Sequence, residues 1–389
     1  MDIKEVAAKY GEYQIEMRRH FHQHPEVSGK EFETSKRVKE ELDKIGVSYV
    51  DCGLETGVLA TIKGAKPGKT ILIRGDMDAL TVPEETELPY ASVNEGVSHA
   101  CGHDCHTSMM LTAAHIINDI KEELCGTVKF AFQPAEEIAK GAESMIEQGA
   151  LDGVDGCFGI HVWADVPTGN VSCEAGPRMA SADQFIIEVQ GKGGHGAAPH
   201  QCIDAAVVSS AIVSNLQTIV SREINPTDPA VVTVGTMEVG SRWNVVAERG
   251  RLEGTSRCFS NEVWEKLPAM IERIAKDTAK SFRAEATMKN IRLVPPTIND
   301  EAMASLVQAA SRKVVAEDAP YTSAPTTGGE DFAFFMQKVP GAVALLGVGC
   351  EECGAVWPQH SSKYRVDENA LLKGAMLYAQ VAIDFNSQK

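Results

Sequence analysis

Three histidines and two cysteines fall within eight positions of the chain, in the segment His99-Ala-Cys101-Gly-His103-Asp-Cys-His106. Imidazole and thiolate are the ligands that borderline metals such as zinc prefer. Any one of these residues alone is more typical of a turn with packed core side chains. The density of the whole cluster instead predicts a metal site.

Two adjacent glutamates, Glu136 and Glu137, follow the apolar run that ends in Gln133-Pro-Ala. Such a pair is usually a solvated helix start. At a strand-to-helix turn, however, one carboxylate can bind a metal while its neighbour handles a water molecule. Hydrolysis at a metal needs this division, because the ion lowers the pKa of the water and a carboxylate moves its proton.

Single histidines and a third polar cluster complete the set of candidates. His161 lies at the end of a predicted strand and His360 follows another, although a lone histidine is more often a packed or surface residue. Asp76 and Asp78 lie in the motif RGDMDAL, at the end of another predicted strand. Carboxylates at such positions are suited to orienting histidine ligands.

Two further motifs favour ordinary structural interpretations. Cys350-Glu-Glu-Cys353 has the spacing of half a structural zinc site, but no second cysteine pair accompanies it, which favours a loop. Glu330 and Asp331, in the motif GGEDF, have side chains that could cap the following helix. No catalytic role is predicted for either motif.

The elements that must position these residues alternate between strand and helix. Helix is predicted over most of 1–45 and at 108–119 and 142–148, with strands at 57–62, 70–74, 127–133 and 156–162. The pattern resumes late in the chain, with helices at 301–315 and 369–385 and a strand at 342–347. This alternation predicts an α/β fold, with a mixed, mostly parallel sheet flanked by helices. Ligands collect beyond the carboxyl ends of such strands, where the polar clusters fall.

The middle of the chain follows a different pattern. Strands are predicted at 185–190, 230–239 and 250–259, with helices at 205–222 and 264–279. The β-α-β-β-α-β order predicts an α+β two-layer sandwich. We therefore predict an inserted domain at 183–294, between two parts of one catalytic domain at 1–182 and 295–389.

Composition restricts the partners. The chain has 389 residues and a formal net charge of −17, which argues against nucleic acid and against an anionic membrane surface. No apolar run reaches the roughly 20 residues of a membrane helix. The polar first residues lack the apolar core of a secretory signal, and the ten cysteines show no regular spacing. These features predict a cytoplasmic location.

The motifs and their order resemble one branch of the two-metal aminoacylase and carboxypeptidase superfamily. This branch contains the aminoacylases, the hippurate hydrolases and the hydrolases of auxin–amino acid conjugates. The resemblance covers nearly the whole chain. It rests on Arg18-Arg-His-Phe-His-Gln-His-Pro-Glu26, RGDMDAL, HACGHDCH, FQPAEE, GIHVW, GKGGHGAAPH, GGEDF and the final His360.

The resemblance implies two divalent metal ions per subunit, in a zinc-exopeptidase-like catalytic domain. Zinc and manganese are the expected metals, with cobalt and nickel as alternatives. Glu136 is implied to be the general base, and Cys101 the ligand that bridges both ions. The remaining implied ligands are His103, Glu137, His161 and His360. Carboxypeptidase members have a histidine ligand in place of Asp76 and an aspartate in place of Cys101, and this departure favours the acyl-amino-acid branch.

The resemblance also implies functional residues in the inserted domain. His195, flanked by glycines, is expected to help hold the developing oxyanion, often in the active site of a partner subunit. Asn244 and Arg257 match positions that contact substrate, and Arg257 is suited to pairing with the amino-acid carboxylate. A surface histidine and an exposed ion-paired arginine are the respective alternatives. A homodimer through the inserted domain is also predicted, because a two-layer sandwich leaves sheet edges that favour isologous pairing with a second copy.

The predicted function is metal-dependent hydrolysis of the amide bond of N-acyl amino acids, which releases a carboxylic acid and a free amino acid. A metallo-dipeptidase or carboxypeptidase acting on small peptides is the alternative within the enzyme class. A thiol hydrolase using Cys101 with His103 or His106 is a second alternative. A metal-stabilised binding protein without turnover is a third, although the retained Glu136 weighs against it.

Overall fold

The computed structural model describes residues 2–388, which divide into two compact units. The first unit comprises the residues through Gly176, Ile298–Ala324 and the residues from Asp331 onward. The second unit comprises Pro177–Thr297 and Pro325–Glu330. The assignment of 183–294 as an inserted lid and dimerisation domain stays a prediction.

The described residues form ten α-helices and fifteen strands. The helices are α1 (Ile3–Ala7), α2 (Gly11–Gln23), α3 (Phe32–Lys44), α4 (His103–Asp119), α5 (Gly141–Glu147), α6 (Ala205–Thr218), α7 (Asn261–Ser281), α8 (Glu301–Val314), α9 (Ala333–Met336) and α10 (Leu371–Asn386). The strands are β1 (Ser48–Asp51), β2 (Val58–Lys63), β3 (Lys66–Asp76), β4 (Cys125–Gln133), β5 (Gly156–Pro167), β6 (Val171–Ser172), β7 (Gly176–Met179), β8 (Ala182–Gln190), β9 (Gly194–His195), β10 (Ala230–Val239), β11 (Val245–Val246), β12 (Arg249–Cys258), β13 (Glu285–Val294), β14 (Thr297–Asn299) and β15 (Gly341–Gly349).

The first unit is built on a seven-stranded sheet in the order β1-β2-β4-β3-β5-β15-β6. The four central strands β4, β3, β5 and β15 run parallel to one another, and the outer strands pair antiparallel. The predicted fold class is thereby confirmed. Because the central strands are parallel, their carboxyl ends meet at one edge of the sheet.

Side chains of the central strands alternate between two cores. Ile71, Ile73, Phe130 and Phe158 lie in the larger core, together with residues of α4 and α10. The intervening residues, such as Leu72, lie in a smaller core with residues of α5 and α9. Helices therefore cover both faces of the sheet, and its long apolar runs are buried on both sides.

The second unit is an antiparallel four-stranded sheet in the order β10-β12-β8-β13. Helices α6 and α7 pack against this sheet and share one core with it. In sequence, the elements β8, α6, β10, β12, α7 and β13 follow the predicted β-α-β-β-α-β order. The predicted two-layer sandwich is confirmed.

Several predicted element limits were wrong, and two of them matter for the chemistry. Helix α4 begins at His103 rather than at residue 108, so the histidine and cysteine motif opens a helix. Strand β5 continues to Pro167, so His161 does not end it. Among residues 2–388, no helix is long and apolar enough to cross a membrane.

Candidate metal centre

Most of the candidate residues of the first unit lie at the carboxyl edge of its sheet. Strand β3 ends at Asp76, and β4 ends at Gln133, three residues before Glu136. The pairing of β3 with β5 stops at Gly159, so His161 lies just beyond the edge of that ladder. Parallel pairing thus brings residues that are far apart in sequence to one place.

His103 is fully buried and is oriented by a carboxylate. Its Nδ1 lies 3.2 Å from Oδ1 of Asp78, which fixes the proton on Nδ1. Its Nε2 makes no hydrogen bond with any described residue. Nε2 lies 3.8 Å from Oε1 of Glu137, another buried atom without a hydrogen-bond partner. A cation bound between these two buried atoms would give each of them a partner.

His161 is held in the same way by the backbone. Its Nδ1 donates a hydrogen bond of 2.7 Å to the carbonyl of Val162. Its Nε2 therefore carries the lone pair, 3.5 Å from Sγ of Cys101. Burial and the neighbouring His106 lower the pKa of His161 well below its ordinary value, so the ring is neutral at pH 7. A neutral imidazole is the form that binds metal.

His360 approaches Glu137 from a loop. Its backbone adopts a left-handed conformation, with φ of 67°, and its N–H donates to the Ala100 carbonyl at 2.7 Å. A histidine in this conformation is strained, and such strain is typical of functional sites. The Nε2 atom lies 3.7 Å from Oε1 of Glu137, while 56% of the side chain remains exposed.

Cys101 belongs to two groups of closely spaced donor atoms. One group contains Cys101, His103 and His161, and the other contains Cys101, Glu137 and His360. Within each group all donor atoms lie within 4.8 Å of one another. Nitrogen and sulfur ligands around a tetrahedral zinc ion are roughly 3.6 Å apart, which agrees with the spacings observed here. The arrangement can hold two metal ions with the thiol between them.

His106 lies beside this centre, but both of its ring nitrogens are occupied. Its Nδ1 hydrogen-bonds to Oδ1 of Asp76, and its Nε2 accepts the backbone N–H of Val162 at 2.9 Å. The ring therefore holds the backbone of Val162, next to His161, in place. Asp76 also approaches His103, with Oδ2 at 3.6 Å from Nε2. Asp76 and Asp78 thus differ, because only Asp78 hydrogen-bonds to His103 in this structure.

Glu136 lies next to Glu137 at the tight turn after β4. The preceding Ala135 has a φ of 54°, which makes the turn sharp enough to place both glutamates at the edge of the sheet. Oε1 of Glu136 accepts the backbone N–H of Asp331 at 3.4 Å. Donor atoms of Glu136, Glu137 and His103 also lie within 4.8 Å of one another. Glu136 is therefore close to the proposed metals.

A buried network that sequence reasoning missed supports this edge. Arg74 donates to Asp76 at 2.6 Å and to Asp331 at 2.8 Å, and all three side chains are buried. Gln133 also donates to Asp331, at 2.7 Å. Helix capping was one interpretation of Glu330 and Asp331, but the following helix α9 has no side-chain cap. Arg74 and Asp331 lie far apart in sequence, so no local signal indicated the pairing.

A second missed network lies behind α4. The buried Arg18 pairs with Asp104, whose Oδ2 also bonds to Nδ1 of His22 at 2.7 Å. Nε2 of His22 contacts Glu84 at 3.0 Å. Burial and Arg18 lower the pKa of His22, but the two carboxylates outweigh them and raise it. The i, i+4 spacing of Arg18 and His22 was the available sequence signal.

The second unit holds His195 on a short exposed strand, β9, which pairs with β11. The backbone N–H of Ala197 donates to its Nδ1 at 3.0 Å, so the neutral ring carries its proton on Nε2. The glycines around it permit close packing. A Cβ added at Gly194 would lie 2.5 Å from Sγ of Cys202, and one at Gly196 would lie 2.9 Å from the Asn244 carbonyl.

Asn244 and Arg257 are both partly exposed residues of the second unit. The Oδ1 atom of Asn244 is buried and has no hydrogen-bond partner among residues 2–388. Arg257 donates through Nη1 to the carbonyl of Thr327 at 2.9 Å. No ion pair of Arg257 with another described residue is present. The alternative of an ion-paired strand-face arginine therefore lacks a partner in the part of the chain that is described.

Known proteins resemble the whole chain. Residues 72–384 match the family model of Peptidase family M20/M25/M40. The N-acetyl-L-cysteine deacetylase of Bacillus subtilis (strain 168) is 40% identical over 377 residues, which cover 96% of this chain and 89% of that protein. Thermostable carboxypeptidase 1 of Saccharolobus solfataricus is 39% identical over 396 residues, which cover 100% of this chain and 98% of that protein.

A solved structure shows the same fold. The crystal structure of the Bacillus subtilis YXEP protein, described as a dinuclear metal binding peptidase from the M20 family, superposes with a TM-score of 0.87. The two chains are 34% identical, and the match covers 98% of this chain and 100% of that one.

Proposed function

Because the chain belongs to peptidase family M20/M25/M40, we propose that it hydrolyses the amide bond of N-acyl amino acids, with N-acetyl and N-benzoyl conjugates as typical substrates. The products are a carboxylic acid and a free amino acid. The resemblance inferred from the motifs is confirmed by the family match and by the deacetylase relative. The observation that carries the proposal is the position of Cys101, which belongs to two groups of donor atoms and lies beside the carboxylates of Glu136 and Glu137.

The residues present fit two divalent metal ions. We propose that Cys101, which belongs to both donor groups, would hold the pair together with His103, Glu137, His161 and His360. Two unpartnered buried atoms, Nε2 of His103 and Oε1 of Glu137, support this assignment. Zinc or manganese is the proposed metal, with cobalt and nickel as alternatives. A thiolate is softer than a carboxylate, so the metal preference of the carboxypeptidase members does not apply to this site. Bound divalent ions supply Lewis acidity toward a carbonyl and lower the pKa of water.

Glu136 is the proposed general base. Its carboxylate lies at the same edge as the ligands, and the N–H of Asp331 fixes the orientation of one of its oxygens. It would take the proton of the attacking water and then return that proton to the leaving amine. This shuttle converts a poor leaving group into a neutral amine, and general acid–base catalysis is typically worth ~10²–10⁴-fold.

His195 is the proposed donor to the developing oxyanion. The Ala197 N–H occupies its Nδ1, so that Nε2–H is available as a donor. A preorganised donor acts mainly on the transition state, where the carbonyl oxygen gains charge. Arg257 is proposed to pair with the substrate carboxylate and Asn244 to contact the substrate. The unpartnered Oδ1 of Asn244 is consistent with a ligand contact.

A homodimer through the second unit is proposed as well, with His195 acting in the partner's active site. Strand β10 is an edge of the four-stranded sheet, and its Val231 and Met237 are exposed by 40% and 44%. On helix α6 of the same unit, Val207 is exposed by 51%. An unpaired edge with apolar side chains favours isologous pairing with a second copy.

A thiol hydrolase is disfavoured by the surroundings of Cys101. Burial and the carboxylates of Glu136 and Glu137 raise the pKa of the Cys101 thiol well above its ordinary value, against the opposing effect of His103. Nucleophilic cysteines need the opposite shift. A cation bound between these groups would instead lower the pKa of the Cys101 thiol, because metal-bound cysteine is deprotonated.

A peptidase remains the second candidate, because one relative is named a carboxypeptidase and the YXEP protein is described as a peptidase. The deciding experiment compares N-acetyl, N-benzoyl and indole-acetyl amino acids with dipeptides of the same amino acids. We expect kcat/KM for at least one acyl series to exceed that for every matched dipeptide. If every dipeptide were hydrolysed faster than the matched acyl amino acids, the assigned function would instead be that of a dipeptidase.

We also propose a cytoplasmic location. All ten cysteines are free thiols, including several that are buried. Reducing compartments keep thiols in this state. Fractionation of the native cells, with detection of the untagged protein, tests the proposal, and recovery outside the cytoplasm would contradict it.

A further inference from the structure

A third group of metal-type donors lies away from the centre described above. It contains Cys350, Cys353 and Asp367, and the two Sγ atoms and one carboxylate oxygen lie within 4.8 Å of one another. From sequence, the CxxC motif lacked a partner. In the fold, the carboxylate of Asp367, 14 residues beyond Cys353, approaches the two cysteines and provides a third ligand. Both cysteines are free thiols, and neither belongs to the catalytic assignment.

The turn between the cysteines has the local geometry of a metal-binding turn. Cys350 and Ala355 exchange backbone hydrogen bonds of 3.0 and 2.8 Å, which close a short hairpin. Within it, the N–H of Cys353 donates to Sγ of Cys350 at 3.2 Å. Gly354 adopts the left-handed conformation, with φ of 74°, which turns the chain back. An N–H aimed at sulfur stabilises a thiolate ligand, as outer hydrogen bonds do at metal sites.

Asp367 is held in place independently of the cysteines. Its N–H donates to the Val348 carbonyl at 3.0 Å, at the end of the strand that leads into Cys350. Its Oδ1 caps the following turn by accepting the backbone and side-chain N–H groups of Asn369. Oδ2 makes no hydrogen bond in the described part of the chain, so one oxygen remains for a cation. An open cavity of about 350 Å³ lined by Cys353 and Asp367 gives access from solvent.

We propose that Cys350, Cys353 and Asp367 form an additional site for a thiophilic divalent cation of the Zn²⁺ class, separate from the catalytic pair. Two thiolates and one carboxylate suit such a cation, and the fourth tetrahedral position is open to water. The site joins the two ends of the 350–367 segment, which carries His360. That histidine is 56% exposed. Closing the segment with a metal reduces the freedom of the loop that must present His360.

The experiment uses the full chain, reduced with a phosphine, stripped of metal and reloaded with Zn²⁺ or Co²⁺. Elemental analysis should find about one metal ion fewer per chain in the Cys350→Ser/Cys353→Ser variant than in the unmodified protein. With Co²⁺, this variant should also lose part of the thiolate-to-metal charge-transfer absorption. Cys125→Ser, which changes a half-buried thiol elsewhere, should match the unmodified protein in both measurements.

Two further variants separate this site from the catalytic centre. Cys101→Ser should keep the charge-transfer absorption that Cys350 and Cys353 produce. Asp367→Asn preserves the turn cap, because asparagine caps as well as aspartate, and should weaken Co²⁺ binding at this site at least about tenfold. Equal metal content and equal spectra for the unmodified protein and Cys350→Ser/Cys353→Ser would overturn the proposal, as would loss of all charge-transfer absorption in Cys101→Ser.

Discussion

The carboxyl edge of the first unit and the His195 segment of the second differ in how their polar groups are held. At the edge, His103 and His161 are buried, and each has one ring nitrogen bonded to a fixed acceptor. His195 is exposed, and a backbone N–H fixes its proton instead. The first arrangement suits the proposed metal ligands, because their orientation is fixed before a metal binds. The second suits the proposed oxyanion donor, because the exposed His195 carries its proton on Nε2. This comparison predicts that damage to the edge removes metal, whereas damage to the second unit leaves metal binding intact.

Metal removal should have the largest effect. Exhaustive chelation should abolish amide hydrolysis, by on the order of 10⁴-fold or more, because Lewis acidity and water activation are lost together. Added divalent metal should restore turnover. Cys101→Ala should reproduce the loss with a lower metal content, whereas Cys125→Ala should retain both. Full activity in chelator, with no bound transition metal in the active protein, would contradict the metal mechanism.

Substitution of Glu136 and of Glu137, both at the carboxyl edge of the sheet, should have different effects on metal content and rate. Glu136→Gln should lower kcat by ~10²–10⁴-fold while metal content stays nearly unchanged, since only the proton shuttle is removed. Glu137→Gln should weaken metal binding, because a ligand is lost. Elemental analysis beside steady-state kinetics checks both. The assignment is reversed if Glu136→Gln loses metal while Glu137→Gln keeps metal and turnover.

The second unit should affect the rate without affecting metal. His195→Ala should lower kcat by on the order of 10²–10³-fold and change KM little, as expected for a donor that acts in the transition state. Its metal content should equal that of the unmodified protein. His200→Ala, which changes an exposed histidine five residues away, is the matched control.

Mixing variants tests whether His195 acts in the partner's site. Inactive His195→Ala and inactive Glu136→Gln should together recover activity, because one site of a mixed dimer then combines an intact edge with an intact histidine. Absence of recovery in verified mixed dimers would place His195 in its own subunit's site. A stable, fully active monomer would exclude the shared arrangement.

The smallest expected effect is that of Arg257. Arg257→Ala should raise KM for N-acyl amino acids by about ten- to a hundredfold, the value of a charge-assisted hydrogen bond. Substrates with the carboxylate converted to an amide should be affected much less. Arg251→Ala, on the same strand but in an exposed ion pair with Glu253 and Glu188, should leave KM unchanged. An equal KM increase for both substrate types would show that Arg257 does not bind the carboxylate.

The sequence alone was sufficient for the fold class and for the motifs that make up the candidate centre. Continuous apolar runs that end in polar clusters identify the parallel strands, since a strand buried on both faces must be apolar until it leaves the sheet. Polar motifs such as RGDMDAL and FQPAEE mark the ends of those strands. Element limits were less accurate. Helix α4 begins at His103, directly after Gly102 in the left-handed conformation. Strand β5 continues past His161 because it pairs with β15 as far as Pro167.

Only the tertiary structure decided which of these residues have free donor atoms. Residue type and spacing do not distinguish His103 from His106, three residues apart on one helix, although the family resemblance implied only His103 as a ligand. In the fold, His106 uses both nitrogens on Asp76 and Val162, while His103 keeps Nε2 without a hydrogen bond. The Arg74–Asp331 pair and the approach of Asp367 to Cys353 likewise join distant segments. Hydrogen-bond satisfaction depends on these distant partners, so it is determined by packing and not by residue type.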